Sequence, residues 1–275
     1  MCTNLEVDEM KVMSYNTLFG GFDETDGRRF QAQATLINTV KPDILLIQEA
    51  KNFNAKGSQL LFQMEAEINM RGFLAVAPHT GQNTGIFINP DFKPIAFDTD
   101  SEHFHHAACI LKLKTPDFNK AITVISAHLC PFGPHVRLRE AYYLTNYAVA
   151  DEYTLVAGDF NSVSPYNQDP VGLDALPSHF RARYVTPNGK EVDRSTLETL
   201  YQAGFVDIAY LLGKHNETTV PATNFIGTEF VPFRSDYIIT TQSLSRLATS
   251  YHVIKDSISD YASDHYPIVA EFKER

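Results

Sequence analysis

Six apolar runs in the chain end on, or begin beside, a side chain able to bind a cation, hold a phosphate or move a proton. Asn16 follows KVMSY, Glu49 follows ILLIQ and His128 follows AITVISA. Asp159 and Asn161 follow TLVAG, Asp236 precedes YIIT, and Asp264-His265 precedes YPIVAEF. Any one Asp or Asn at a strand end is ordinary, because turns favour both. As a set they describe a reaction. Carboxylate and amide oxygens suit a hard divalent cation, and Mg²⁺ typically takes one or two protein carboxylates and keeps several waters. Glu49 and Asp264, with Asn16 beside them, supply such a site and leave positions for a phosphate oxygen. His265 and His128 are imidazoles that donate to phosphate or exchange protons near neutral pH. Asp159 is placed to orient or deprotonate a water, and Asn161 to donate an amide to the phosphate. The chemistry is metal-assisted attack of water on phosphorus.

The elements that must position these groups alternate between strand and helix. Strands are expected at 11–16, 44–48, 73–77, 85–89, 94–97, 107–113, 121–127, 153–158, 237–240, 249–255 and 267–272. Helices are expected at 29–40, where Phe30, Ala34, Ile37 and Val40 recur at helical spacing, and at 59–70, 135–150 and 195–203. Strands with helical crossovers in both halves of the chain imply an α/β fold of two sheets packed face to face with helices outside. A single domain made of two similar halves is expected, with a core of about 11–272 and a Pro-rich insertion at about 162–190. That insertion carries His179, Arg181, Arg183 and Tyr184, and is long enough to form a lid or side wall.

Composition limits the partners. The 275 residues include 33 acidic and 23 basic side chains, a formal charge of −10, and no long Lys/Arg run. Tight non-specific DNA binding, which needs a basic face, is therefore not expected. Cys2, Cys109 and Cys130 form neither a disulfide framework nor a zinc spacing. MCTNLEVDEM lacks the basic-then-apolar pattern of a secretory signal, and no window has the ~18 apolar residues of a membrane span. A cytoplasmic location is expected.

The segments MSYNTLFG, LLIQEA, SAHL, GDFNS, RSDYI and SDHYPIVAEF occur in an order that resembles the endonuclease/exonuclease/phosphatase superfamily. That group includes deoxyribonuclease-type nucleases, exonuclease-III-type abasic-site endonucleases, sphingomyelinases, inositol polyphosphate 5-phosphatases and deadenylases. The resemblance spans about residues 11–272. It implies a four-layer α/β sandwich, two mixed sheets flanked by helices. It also implies Mg²⁺ or Mn²⁺ on Glu49, supported by Asn16 and Asp264. Asp159 and Asn161 match the pair that activates water and binds the scissile phosphate. His265 matches the histidine that stabilises the transition state, oriented by Asp264 or Asp236, and His128 matches a phosphate-contacting histidine of the deoxyribonuclease-like branch.

The phosphate ester itself is less legible. A phosphodiester in a short nucleic acid or small molecule is the first expectation, and a phosphomonoester of a small metabolite or lipid head group the alternative. A binding module that has lost the chemistry is the remaining class, disfavoured by the complete polar set. Arg234, His105 and Arg137 are candidate substrate contacts. Against them stand plainer readings. The His103–His106 cluster reads first as surface histidines, then as a wall of the phosphate pocket and last as a metal site with His103 and His105 on one strand face. Arg137 and Arg139 read as a solvated helix face. The charged turn from Asp23 to Arg29 reads as a solvated turn or a substrate-rim loop. Oligomeric state is not encoded in any pattern found.

Overall fold

A period of two runs through the strands of the computed structural model, which describes residues 9–116, 118–227 and 229–274. In β1 (Met10–Asn16), Met10 and Val12 join one apolar cluster while Met13 and Tyr15 join another on the opposite face. The first cluster lies between two six-stranded sheets and the second under helices. Cys2 and the rest of residues 1–8 lie outside the described residues. Cys109 and Cys130 are buried free thiols.

The first sheet contains β1, β2 (Ile44–Gln48), β3 (Arg71–Ala75), β4 (Thr84–Ile88), β11 (Ala248–Val253) and β12 (Ile268–Phe272) in the order β11-β12-β1-β2-β4-β3. The second contains β5 (Lys93–Asp100), β6 (Ala108–Lys114), β7 (Ile122–His128), β8 (Tyr153–Asp159), β9 (Phe205–Asp207) and β10 (Asp236–Thr241) in the order β5-β6-β7-β8-β10-β9. Each sheet is antiparallel except for one central parallel pair, β1–β2 and β7–β8. Each parallel pair is joined by a helical crossover, as parallel strands require. These are α1 (Arg28–Val40) in the first half and α3 (Pro134–Thr145) in the second.

Helix α1 and α2 (Gln59–Ile68) press Phe30, Ile37, Leu61 and Met64 onto the outer face of the first sheet. On the second sheet, α3 and α5 (Ser195–Gln202) do the same with Ala141, Leu144, Leu197 and Leu200. The result is helix, sheet, sheet, helix: a four-layer sandwich of two mixed sheets. The short α4 (Ser178–Arg181) sits in the Pro-rich insertion, whose Leu173 and Tyr184 pack with Val220 and Phe233 in a small separate cluster.

Two expectations fail locally. The helix expected at 135–150 stops at Thr145. Tyr147 and Ala148 then bond back three residues, to Leu144 and Thr145, where Asn146 and an aromatic residue hold helix poorly. β9, only three residues long, was not expected at all.

Candidate active site

Strand register brings the polar ends together. Asn16 pairs with Gln48 across β1–β2, leaving Glu49 one step beyond, and His128 pairs with Asp159 across β7–β8. The antiparallel β8–β10 pair sets Asp236 opposite Asp159. Just beneath, Gln48 donates to Ser126 Oγ (3.1 Å), and Ser126 donates to the Ile47 carbonyl (3.0 Å), so a polar bridge fastens one sheet to the other. Gly158 is needed here: its φ is +150°, and a Cβ would stand 1.7 Å from the Ala127 carbonyl oxygen. This is the physical reason for the first residue of GDFN.

Asp159 is buried and heavily partnered. Its Oδ1 accepts the Asn161 N–H (2.9 Å) and the Ser235 hydroxyl (2.6 Å). Its Oδ2 accepts from Asn16 Nδ2 (3.2 Å) and faces His128 Nε2 at 3.5 Å and His265 Nε2 at 3.6 Å. Burial disfavours its charge, but the charge of His265 and the hydrogen bonds from Ser235 and the Asn161 N–H outweigh that and hold its pKa below the usual carboxylate value. His265 Nδ1 lies 2.9 Å from Asp236 Oδ2. Burial opposes protonation of His265, and the charges of Asp236, Asp159 and Asp264 override it, so the pKa rises well above the ordinary imidazole value. The proton shared by this buried pair is held on the imidazole, with Asp236 as its orienting partner. His128, by contrast, is held neutral: burial pushes its pKa down to about 4.

At the neighbouring strand end the balance is reversed. Burial, reinforced by the charge of Asp264, pushes Glu49 up to about 7, and burial likewise raises Asp264. Two buried carboxylates facing one cleft, both raised although the charge of His265 opposes the rise, are a donor set that fits a hard divalent ion. Glu49 is also held in place, accepting from the Phe19 N–H (3.2 Å), Gln82 Nε2 (3.3 Å) and Asn16 Nδ2 (3.2 Å). Asn16 does not present an oxygen. Its Oδ1 accepts the Leu18 N–H at 3.1 Å, so the amide turns NH₂ towards Glu49 and Asp159 and braces them. The expected metal-supporting oxygen is therefore corrected to a donor. Asp159, Asp236 and His265 also offer ligand atoms within 4.8 Å of one another. There the imidazolium already supplies the positive charge, which makes that group a poorer cation site.

A cleft of about 350 Å³ opens onto this centre. Glu49, Asp264, His265, Asp159, Asn161, His128 and His105 all line it. Four of its lining residues, Leu18, Phe19, Glu49 and Asn161, hold positive φ, a strained backbone of the kind that gathers at functional sites. Asn161 Nδ2 itself donates to the Leu129 carbonyl (3.0 Å).

Two expected substrate contacts are not in the cleft. Arg234 is buried, with Asp207 Oδ1 and Oδ2 at 2.9 and 2.6 Å, Asn167 Oδ1 at 3.0 Å and the Tyr237 ring under its guanidinium. It ties β9 and the loop at Asn167 to β10. Arg137 is also buried, and donates to the carbonyls of Cys130 (3.0 Å) and Arg183, so the solvated-face reading fails as well. Arg29 is a third such case: it grips Asp23 through two nitrogens (2.8 and 2.9 Å) and is neither solvated nor at a rim. The histidine cluster divides. No strand forms there; His103 leaves to pair with Asp100 (2.9 Å), whereas His105 and the buried His106 reach the cleft. The plain surface reading is corrected for His106.

Sequence reasoning missed Gln82, Thr80 and Ser235, whereas His106 and Arg183 lie in segments it had weighed as a pocket wall and a side wall. Ser235 lay inside the RSDY motif, so position alone pointed to it. Gln82 carried no signal, since only the tertiary fold brings it to Glu49.

The sequence model of the Endonuclease/Exonuclease/phosphatase family matches residues 13–265, and the chain belongs to that family, whose members hydrolyse phosphate esters. Among solved structures, it is similar to an AP endonuclease from Archaeoglobus fulgidus at 20% identity, covering 96% of this chain and 100% of that one with a TM-score of 0.68. It is also similar to D. rerio TDP2 complexed with single strand DNA product, at 17% identity, with coverage of 97% and 99% and a TM-score of 0.66. A mannosyl-6-phosphatase from Bacteroides thetaiotaomicron aligns at 16% identity, with coverage of 96% and 100% and a TM-score of 0.67. These likenesses establish the fold. No curated protein sequence matches the chain. Among the described residues, no helix is long and apolar enough to cross a membrane.

Proposed function

We propose that the protein is a Mg²⁺- or Mn²⁺-dependent phosphodiesterase acting by in-line attack of water on a small molecule or short nucleic acid. The observation that carries this reading is the pairing, at one cleft, of two buried carboxylates with raised pKa, Glu49 and Asp264, with a carboxylate held ionised beside imidazoles, Asp159. When bound at Glu49 and Asp264, the ion supplies charge neutralisation and polarisation of a phosphoryl oxygen. Asp159 accepts a hydrogen bond from the attacking water and takes its proton as the bond to phosphorus forms, while the opposite P–O bond breaks and the departing alkoxide takes a proton from solvent water. Ser235 and the Asn161 N–H keep that carboxylate aimed. His265, protonated and fixed by Asp236, donates to a phosphoryl oxygen as negative charge builds on it.

A phosphomonoesterase is the second reading, favoured by the small cleft. Among the described residues lining the cleft, Arg183 is the one Lys or Arg, and Glu229 holds it at 2.5 Å. Among those residues no row of cations runs along the cleft to follow a phosphate backbone. The phosphatase among the structural relatives keeps the same reading in view. Both are tested by hydrolysis of bis(4-nitrophenyl) phosphate and 4-nitrophenyl phosphate in chelator, Mg²⁺ and Mn²⁺. Activity should vanish in chelator and return with either ion, faster on the diester. Full activity of thoroughly metal-free protein overturns the proposal, and a strong monoester preference replaces its first form with its second.

A further inference from the structure

Helix α3 carries two buried charges that the chemistry above does not use. Arg137 and Glu140 lie about one turn apart, 1% and 0% exposed, and each spends its charge on backbone groups of other segments. Glu140 Oε2 accepts the Cys130 N–H (2.8 Å) and Arg137 Nη1 donates to the Cys130 carbonyl (3.0 Å). The helix thus grips both backbone polar groups of one residue in the turn after β7. Their remaining atoms reach two further segments. Glu140 Oε1 accepts the His105 N–H (2.6 Å), from the connection between β5 and β6, and Arg137 Nη2 donates to the Arg183 carbonyl of the Pro-rich insertion. Arg183 in turn holds Glu229 at 2.5 Å, and Phe230, the next residue, stands edge-on to the His265 ring with its centroid 5.5 Å away. His105, Phe132, Arg183, Glu229 and Phe230 all line the cleft. One side of the cleft therefore hangs on one face of one helix. Glu49, Asp159 and His128, by contrast, sit at strand ends that register places.

We infer that Arg137 and Glu140 are positioning residues, a clasp that holds the cleft wall ready for substrate and so sets substrate affinity, without acting on the metal end or on the attacking water. The inference rests on the proposed hydrolysis of a phosphate ester. A wall ordered in advance spares the cost of immobilising it on binding, so loosening the clasp weakens binding before it slows the chemistry. Hydrogen bonds from N–H groups to an ionised carboxylate, and from a guanidinium to carbonyls, are among the strong ones, which suits them to joining segments far apart in sequence. Both Glu140 oxygens serve as acceptors, so the clasp is complete only while the carboxyl is ionised. Burial pushes that carboxyl up to about 7, against the opposing pull of the two N–H groups and of Arg137 and Arg139 on its own helix. From the turn it is faced by the Cys130 thiol, itself pushed up by burial, and from the third segment by His105, whose pKa burial lowers. A proton taken up as pH falls through neutrality turns one acceptor into a donor facing an N–H and loosens the wall.

The test is steady-state hydrolysis of bis(4-nitrophenyl) phosphate by the wild type, Glu140→Gln and Arg137→Lys, at saturating Mn²⁺ so that titration of Glu49 does not enter. Glu140→Gln keeps the shape and imitates the protonated carboxyl; Arg137→Lys keeps the charge but loses the fork that reaches two carbonyls. In each, KM should rise about tenfold or more while kcat changes by less than about threefold. In the wild type KM should climb as pH falls from 8 to 6, and in Glu140→Gln it should be high already and flat across that interval. Amide exchange read by mass spectrometry without substrate should quicken at residues 129–133 in both variants and at 103–106 in Glu140→Gln, and stay unchanged at 10–16 and 44–48. Melting temperature checks that each variant folds. An unmoved KM in folded variants, or a kcat that falls as far as KM rises, overturns the clasp while leaving the hydrolysis standing. Should neither variant fold, a wild-type KM that is flat between pH 8 and 6 overturns it without them. A wild type inactive on the ester refutes the hydrolase reading itself, and the exchange pattern then decides the clasp alone, exchange quickened evenly over the whole chain counting against it.

Discussion

The two parallel strand pairs, β1–β2 and β7–β8, share one design. Each is crossed by a helix on the outer face, and each ends with paired polar residues at the same edge of the sandwich. Their electrostatics are opposed. At the first end, burial raises Glu49 and Asp264, the charge of Asp264 adds to the rise of Glu49, and the charge of His265 only partly offsets both. At the second end, Asp159 sits between two imidazoles and beside a serine and an asparagine that stabilise its charge. Repeating a supersecondary unit thus yields two sites of different kind: one whose carboxylates are raised by burial and suit a cation, one whose carboxylate is held ionised and suits aligning water and phosphate. His265, next to Asp264 in sequence and bonded to Asp236 in space, joins them.

Breaking the second end should cost most. Asp159→Asn keeps the shape but removes the proton acceptor, so kcat should fall by about 10²–10⁴-fold with a melting temperature near that of the wild type. A loss below tenfold would move the water-aligning role elsewhere. Arg234→Met separates scaffold from site. Leaving Asp207 buried without its partner should cost about 3–5 kcal/mol in denaturant unfolding, while KM of the folded fraction stays unchanged. A raised KM at full stability would restore Arg234 as a substrate contact. Gln82→Leu, which removes one donor to Glu49, should raise the Mg²⁺ concentration for half-maximal activity about 10–100-fold; no change would show that Glu49 needs no such support. The smallest effect is with pH. Since Glu49 is pushed up to about 7 and a ligand carboxyl must lose its proton, apparent Mn²⁺ affinity should strengthen between pH 6 and 8. Affinity that weakens over this interval contradicts the assignment.

Much of this organisation was legible because apolar runs such as ILLIQ and TLVAG mark strands, and because polar residues at their ends fall at one edge once the strands pair. The two sheets and their flanking helices followed from the same pattern. Pairing at long range was not legible. Arg234 lies two residues from Asp236 and was placed in the site on that ground, but its partner Asp207 is 27 positions away on a strand of three residues. Arg137 was read from helix spacing, whereas its carbonyl acceptors are set by the turn at Cys130 before α3 and by Arg183 of the Pro-rich insertion. Asn16 was read by residue type; which end of an amide faces a site depends on a neighbouring backbone N–H, here that of Leu18. His106 was buried by stacking on His128, a contact between segments 22 positions apart.

The central claim is that the cation belongs to the Glu49–Asp264 end and not to the Asp159–Asp236–His265 group, although both gather potential ligands. Mn²⁺ binding measured by titration calorimetry on the wild type, Glu49→Gln and Asp236→Asn decides it directly. Binding should be lost or greatly weakened in Glu49→Gln and kept in Asp236→Asn. Binding kept in Glu49→Gln and lost in Asp236→Asn would contradict the account and place the ion among the imidazole-bound carboxylates.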